Sequence, residues 1–432
     1  MKKRKVSHTG LENPNSVSQL SKWLEETTDL SISDLRKDTV ARMLNNHMVD
    51  GDAERMLQIR QELGKTSTKK YDAIETAVCD DGRLRGLLQF YGANRTGRFS
   101  GRLVQVQNLP RTYIGINLLP LIREAVKRRE ADKLRLLFGS IPDTLSQLIR
   151  TAFIPANGHK LVDADFSSIE ARVVTWLAGE EWKLEVFRNG GDVYCATASN
   201  MFGVPVEKHG SNSELRQKGK IAELACGYGG GTGALIAMGA LDMGIPEEDL
   251  QDIVSRWRQA NQQIVNLWYK IENAAVTTIQ TGQQTNVNGL IFTREFDLEN
   301  DLDFMTMTLP SKRKLYYARP GLGENQWGKP SIIYYGVDQT TKQWTELETY
   351  GAKLVENAVQ AISRDCLTLT IERLEAAGYP IVFHVHDEVV IDCEVNKADL
   401  DNVIKIMTMP ISWAQGLPIN ADGWTGDFFR KD

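Results

Sequence analysis

The chain has 432 residues, which implies about three domains, each long enough to bury a core. Hydrophobic residues make up 42% and charged residues 25%, which excludes large-scale disorder, and no apolar run reaches the length of a membrane-spanning helix. The formal charge of -5 supplies no global basic field, so any nucleic-acid contact has to come from a local basic groove.

The N-terminal MKKRKV run is followed by no apolar stretch, so it is not a secretory signal peptide. It reads either as a solvated end or as part of a nuclear-import tag. Residues 16–63 are predicted helical: Val17, Leu20, Trp23 and Leu24 recur at helical spacing, as do Met56, Ile59 and Leu63. Next, Gly64-Lys65-Thr66-Ser67-Thr68-Lys69-Lys70 reads as a loop, suited to sequence-blind phosphate contacts or equally to a solvated linker. Lys160-Leu161-Val162-Asp163-Ala164-Asp165-Phe166 is a predicted strand that leads into a helix through Leu177. Residues 214–228 are a helix candidate closed by Gly229-Gly230-Gly231. Residues 285–345 are rich in β-formers and turns, which predicts hairpins, and residues 349–377 read as one long helix. Ile381-Val382-Phe383-His384-Val385 and Val389-Val390-Ile391-Asp392 flank His386-Asp387-Glu388 as a β-hairpin with an acidic tip. Five widely spaced cysteines (Cys79, Cys195, Cys226, Cys366, Cys393) form no CxxC, which predicts free thiols in a reducing compartment.

Two carboxylates end hydrophobic strands, Asp165 and Asp387. A carboxylate held at the exposed end of a buried strand suits a hard divalent cation. Two of them brought together could hold two Mg²⁺ ions about 4 Å apart for in-line displacement at phosphorus. The alternatives are a helix cap at Asp165 and a plain turn at Asp387. Arg216, Lys220, Leu224 and Tyr228 recur every four residues and form one stripe on a helix face. Two cations and an aromatic suit a triphosphate with a stacked base; a solvated basic face ending in a core tyrosine is the alternative.

Asp165-Phe166-Ser167-Ser168-Ile169-Glu170-Ala171-Arg172 resembles motif A of the family A DNA polymerases, the bacterial DNA polymerase I family. Arg216-x3-Lys220-x7-Tyr228-Gly229 resembles motif B and Val385-His386-Asp387-Glu388 motif C, in the family's order. Thr96-Gly97-Arg98-Phe99-Ser100, with Gln107-Asn108-Leu109-Pro110-Arg111, is similar to the segment ahead of motif A. The final Gly423-Trp424 segment is similar to the family's C-terminal end. The chain looks most like polymerases encoded by phages and prophages.

The resemblance implies an α+β right-hand polymerase with an antiparallel palm sheet, helical fingers and a helical thumb. Its expected layout is thumb at residues 1–90, first palm segment at 91–180 and fingers at 181–285. A β-rich insertion at 286–345 and a second palm segment at 346–432 complete it. The implied reaction is template-dependent 5′-to-3′ addition of dNTPs to a primer 3′-hydroxyl. Asp165 and Asp387 would bind two Mg²⁺ ions (Mn²⁺ able to substitute), with the Phe166 carbonyl as a further ligand and Glu388 in support. Glu170 would be the steric gate against a ribose 2′-hydroxyl. Arg216 and Lys220 would hold the triphosphate, Lys220 also as a proton donor to pyrophosphate, and Tyr228 would sit near the templating base. Arg98, Gln360 and His386 would track the primer–template duplex, and the loop with Lys65, Lys69 and Lys70 would be the thumb tip.

Three departures stand out. Leu224 replaces the family's usual Phe or Tyr, which puts discrimination against dideoxynucleotides in question. Tyr194 stands where many members carry a phosphate-binding His. Leu354-Val355-Glu356-Asn357 lacks the usual Arg and Asn spacing, so no DNA contact is carried over there. Extra length between Arg111 and Leu148 and around residues 290–345 has no counterpart. The 90 or so residues before the Thr96-Gly97-Arg98 segment suit a thumb and not an exonuclease domain, so no proofreading is expected on this chain. A monomer in the cytoplasm of a bacterial or phage-infected cell, bound to primer–template DNA and dNTPs, is the expected form. The rivals are a single-subunit RNA polymerase, which Glu170 opposes, and a non-catalytic DNA-binding scaffold, which needs neither aspartate nor Lys220.

Overall fold

Amphipathic spacing folds the N-terminal stretch into helices α1 (Val17–Thr28), α2 (Lys37–Asn45), α3 (Gly51–Leu63) and α4 (Lys69–Ala77). Ser16 caps α1 by accepting from the Gln19 backbone N–H, and Leu20, Leu24, Val40, Met43, Met56 and Leu57 share one core. The structure is a computed structural model that describes residues 9–431 apart from Glu12, Pro14, Asn15, Ser33, Gly64, Lys65, Leu298, Asn325, Gln326, Trp327 and Lys329. The MKKRKV run and Lys65 lie outside the described residues.

The lysine-rich stretch predicted as a loop is instead a 3-10 turn, Thr66–Thr68, running straight into α4. Tertiary bonds override its loop-like composition. The Tyr71 hydroxyl donates to the Leu145 carbonyl (2.8 Å), Lys70 Nζ donates to the Val104 carbonyl (2.6 Å), and the Ser67 and Ser146 hydroxyls share a bond of 2.7 Å.

The chain divides into two compact units. The first comprises Met1–Leu87, Arg102–Ile154 and Phe428–Asp432, and so takes in α5 (Leu119–Lys127), α6 (Ala131–Phe138) and α7 (Ile141–Leu148). Its last segment acts as a clasp. Phe429 is fully buried, its backbone N–H donates to the Phe153 carbonyl (2.9 Å), and its ring meets that of Phe153 edge-on at 6.3 Å. The Arg123 guanidinium lies 4.3 Å from the Phe428 ring, a cation–π contact.

The second unit is Leu88–Gly101 with Pro155–Asp427. It opens with the short pair β1 (Leu88–Gln89) and β2 (Ser100–Gly101). Its central sheet is antiparallel throughout, in the order β10 (Ile381–Val385), β11 (Glu388–Glu394), β3 (His159–Phe166), β12 (Ala421–Gly426). Leu161, Val162 and Ala164 bury β3, as its near-continuous apolar run predicts for a strand flanked on both sides. From β3 the chain enters α8 (Ile169–Ala178), α9 (Glu181–Arg188), α10 (Val193–Phe202) and α11 (Leu215–Cys226). Helices α12 (Thr232–Ala237), α13 (Leu250–Ala260) and α14 (Gln262–Thr281) follow. Residues 285–349 then form a six-stranded antiparallel meander, β4 (Thr285–Val287), β5 (Leu290–Asp297), β6 (Leu302–Thr308), β7 (Lys314–Glu324), β8 (Pro330–Val337) and β9 (Trp344–Thr349). Helix α15 (Gly351–Ala376) and helix α16 (Leu400–Met407) complete the unit. The five cysteines are free thiols. Among the described residues no helix is long and apolar enough to cross a membrane.

Candidate active site

Strand register brings the carboxylates together. In the β3–β11 ladder Glu388 stands opposite Asp165, and the Phe166 backbone N–H donates to the Asp387 carbonyl at 3.2 Å. Asp165 therefore ends one central strand beside the turn that carries Asp387 on its neighbour. Both aspartates are half-buried, whereas Glu388 is 1% exposed. Glu388 is the first residue of β11 and not part of the turn; the hairpin tip is His386-Asp387, with His386 at φ 55. Asp165 does not cap the following helix. Ser168 holds the N-cap position of α8 in left-handed conformation, with no side-chain cap bond. On the other side of β3, Asp422 of β12 also pairs with Asp165, a carboxylate neighbour that the sequence reading did not single out.

Glu170, in the first turn of α8, joins three distant stretches. It accepts from Arg98 Nη1 at 2.9 Å and from the Tyr228 hydroxyl at 3.3 Å. Burial and the facing Glu170 carboxylate push the Tyr228 phenol well above its ordinary pKa, so it stays a donor. Tyr228 lies two residues past the end of α11, because the helix predicted over residues 214–228 stops at Cys226.

Along α11, Arg216 pairs through Nε and Nη2 with Asp192 Oδ2 at 2.9 and 2.8 Å, and its guanidinium lies 5.3 Å from the Tyr194 ring. Asp192 also caps α10, accepting from the Tyr194 and Cys195 backbone N–H groups. Burial opposes ionisation of Asp192, but those amides and Arg216 outweigh it and hold the carboxyl below its usual range. Burial raises the Tyr194 phenol. Lys220 is half-buried, and among the described residues nothing accepts from its ammonium. Leu224 is 49% exposed. Helix α11 can lie this close to α10 because residue 219 is Gly: a Cβ there would stand 2.3 Å from the Tyr194 carbonyl.

The segment carrying Arg98 is pinned from the six-stranded sheet. Arg313, just before β7, donates to the Thr96 carbonyl (3.0 Å), to Asp365 Oδ1 (2.7 Å) and to the Ala361 carbonyl (2.9 Å). Gly97 sits at φ +71, where a Cβ would meet Arg313 Nη1 at 2.4 Å. Arg98, Gln360 and His386 line one cleft of about 790 Å³, together with Arg95, Glu356 and Lys342. Gln360 Nε2 donates to Glu356 Oε1 at 3.3 Å, and Asn357 Nδ2 to the Tyr317 hydroxyl at 3.1 Å. Lys69 and Lys70 belong to the other unit, where Lys70 is spent on Val104.

The sequence reading gave no role to Asp192, Arg313, Arg95 or Lys342. Asp192 is legible as a helix cap, but its ion pair with Arg216 depends on how two helices pack. Among the described residues no three His, Cys, Asp or Glu side chains form a ready-made metal cage. Two carboxylates and a carbonyl fit a hard, oxygen-preferring ion that takes its remaining ligands from substrate and water.

A family model described as DNA polymerase family A matches residues 1–302. The DNA polymerase of Bacillus phage SP02 is 51% identical over 426 residues, covering 98% of this chain and 64% of that protein. The thermostable DNA polymerase I of Thermus aquaticus is 37% identical over 116 residues, 27% of this chain and 13% of that protein. The polymerase domain of Pol1 from M. smegmatis, solved with DNA primer-template and dNTP, superposes with a TM-score of 0.62 at 18% identity, over 99% of this chain and 63% of that one. That likeness shows the mixed helix-and-sheet polymerase fold. The chain spans less than two thirds of the phage relative's length. With its motifs joined through Asp165, Glu170 and Tyr228, this chain belongs to DNA polymerase family A.

Proposed function

We propose that the chain is a DNA-directed DNA polymerase that extends a primer 3′-hydroxyl with dNTPs and releases pyrophosphate. One observation carries the reading: the Arg98–Glu170–Tyr228 bonds and the Asp165–Glu388 pairing draw all the sequence-remote motifs to one end of one sheet. Family A polymerases depend on divalent metal ions as a group. Asp165, Asp387 and the Phe166 carbonyl would hold two Mg²⁺ or Mn²⁺ ions, which when bound lower the primer hydroxyl's pKa and neutralise developing phosphate charge. Glu388, buried beside Asp165, keeps the strand ends in register. Lys220, with no competing carboxylate, is suited to neutralise the triphosphate and to hand a proton to the leaving pyrophosphate. Arg216 joins it by exchanging Asp192 for phosphate oxygens, with Leu224 and Tyr194 flanking the nucleotide.

Glu170 fills the space beside the nucleotide sugar, and its two hydrogen bonds hold it there, which favours deoxyribonucleotides over the RNA-polymerase reading. Arg98, Gln360 and His386 contact the duplex near the primer terminus. The thumb is built from the N-terminal helices, and the grouping of residues 102–154 with them supports a thumb larger than residues 1–90. The second unit then carries palm, fingers at residues 181–285 and the β-rich insertion. The enzyme works as a monomer in the cytoplasm of a bacterial or phage-infected cell. Primer extension with dNTPs or rNTPs, with and without Mg²⁺, tests the reading. Metal-dependent extension with dNTPs is expected; no extension by the purified chain refutes it.

A further inference from the structure

The six-stranded sheet at residues 285–349 has no counterpart in the motifs, yet its β8–β9 turn lines the same cleft as Arg98, Gln360 and His386. That turn is rigidly made. Asp338 Oδ1 accepts from the Thr340 and Thr341 backbone N–H groups (2.9 and 2.7 Å) and from the Thr341 hydroxyl (3.0 Å). The Lys342 N–H closes the turn on the Asp338 carbonyl at 3.0 Å, which leaves the Lys342 side chain exposed. The sheet itself is anchored to the cleft through Arg313, which grips Thr96 and Asp365.

The cations of this cleft are not equivalent. Arg98 is neutralised by Glu170 and Lys353 by Glu356, at 2.9 and 2.7 Å. Arg95 is not: its Nε is buried without a hydrogen-bond partner, and among the described residues no carboxylate lies within ion-pair distance. A half-buried guanidinium left in this state carries a desolvation cost that an anion would offset. Asp338 feels the Arg95 charge, but its carboxylate is held below its usual range chiefly by the Thr340 and Thr341 donors of its own turn. Beside it the exposed Lys342 adds a second cation. A nucleic-acid duplex presents one backbone charge per about 1.7 Å of axis, which suits two cations mounted on a rigid edge.

We infer that Arg95 and the Lys342 turn form a phosphate-contacting wall for the primer–template duplex, making the extra sheet a DNA-binding element. The inference rests on the polymerase reading for the identity of the duplex. Neither contact reads bases, so the contribution is sequence-independent and salt-sensitive.

The test is equilibrium binding of a fluorescent primer–template across a salt series, for the full chain and for Arg95→Ala, Lys342→Ala and the charge-keeping Arg95→Lys. Each Ala variant should make the slope of log K against log salt shallower by about 0.9 for the phosphate contact it loses, while Arg95→Lys keeps the parent slope. Circular dichroism melting of each variant separates lost contact from lost fold, and Lys342, being exposed, supplies the variant least able to disturb folding. Parent slopes in Arg95→Ala and Lys342→Ala overturn the inference. So does a loss confined to dNTP affinity at saturating duplex, which would make the cleft a nucleotide site. Shallower slopes from a chain that does not extend primers would keep the duplex wall and refute the polymerase reading instead.

Discussion

Glu170 shows how one side chain can be both filled space and held position. Its bonds to Arg98 and Tyr228 fix the carboxylate, so in the proposed role its bulk would act as a clash against a 2′-hydroxyl and not as an attraction for the deoxyribose. Glu170→Ala should therefore raise the rNTP/dNTP ratio of kcat/KM, and an unchanged ratio would assign the gate elsewhere. Asp165→Ala and Asp387→Ala should abolish extension while leaving duplex affinity near the parent value, because in the proposed role the carboxylates would serve charge that develops in the transition state. Extension within tenfold of the parent in either variant would remove them from the metal site. His384 offers a pH signature. Burial, and then the Arg364 charge, lower its pKa from 6.5 to about 4, so the folded chain keeps it neutral where the unfolded chain protonates. Its stabilising effect is complete above pH 6.5 and is lost as pH falls toward 4, by roughly 1.4 kcal/mol per pH unit at the steepest. The parent-minus-His384→Phe difference in urea stability should shrink across that window; a flat difference would contradict it.

Helix α11 is where side-chain spacing turns into chemistry. The four-residue rhythm of Arg216, Lys220 and Leu224 was legible in the sequence, as was the strand ending at Asp165, since both are local periodicities. What that rhythm faces was not legible, because Asp192 reaches Arg216 only through the packing of α10 on α11. Register was equally hidden: nothing near Val162 says that β11 and β12 will flank it. Lys220→Ala should slow the chemical step in single-turnover kinetics as well as weaken dNTP binding, and Leu224→Tyr should change ddNTP acceptance far more than dNTP use. Parent behaviour in both would make the stripe ordinary surface. The helix is held from behind by a buried ion pair. Lys183, 0% exposed, donates to both oxygens of Glu223 at 2.8 and 3.0 Å, and Thr197 and Trp257 donate to the same carboxylate. Lys183→Met should cost about 3–5 kcal/mol in urea denaturation by leaving Glu223 charged and unpaired, more than Lys218→Met, whose ion pair with Asp249 is half-exposed. A loss below about 1 kcal/mol would contradict this.

At the scale of the molecule, the sequence announced the palm motifs and the hairpin-rich stretch but not how the chain divides. The helices between Arg111 and Leu148 group with the N-terminal helices, whereas the layout expected from the motifs puts them in the first palm segment at 91–180. That grouping depends on long-range bonds such as Tyr71 to Leu145, which no local pattern encodes. The Phe428–Phe429 clasp extends the same dependence to the order of synthesis. The second unit has all of its chain once Asp427 has been added, but the first still lacks the residues that seal it. A ribosome making this stretch of chain therefore completes the catalytic-motif unit before the helical unit that starts ahead of it. Until Phe429 emerges, Phe153 lacks both the ring that meets its own edge-on and the backbone donor to its carbonyl.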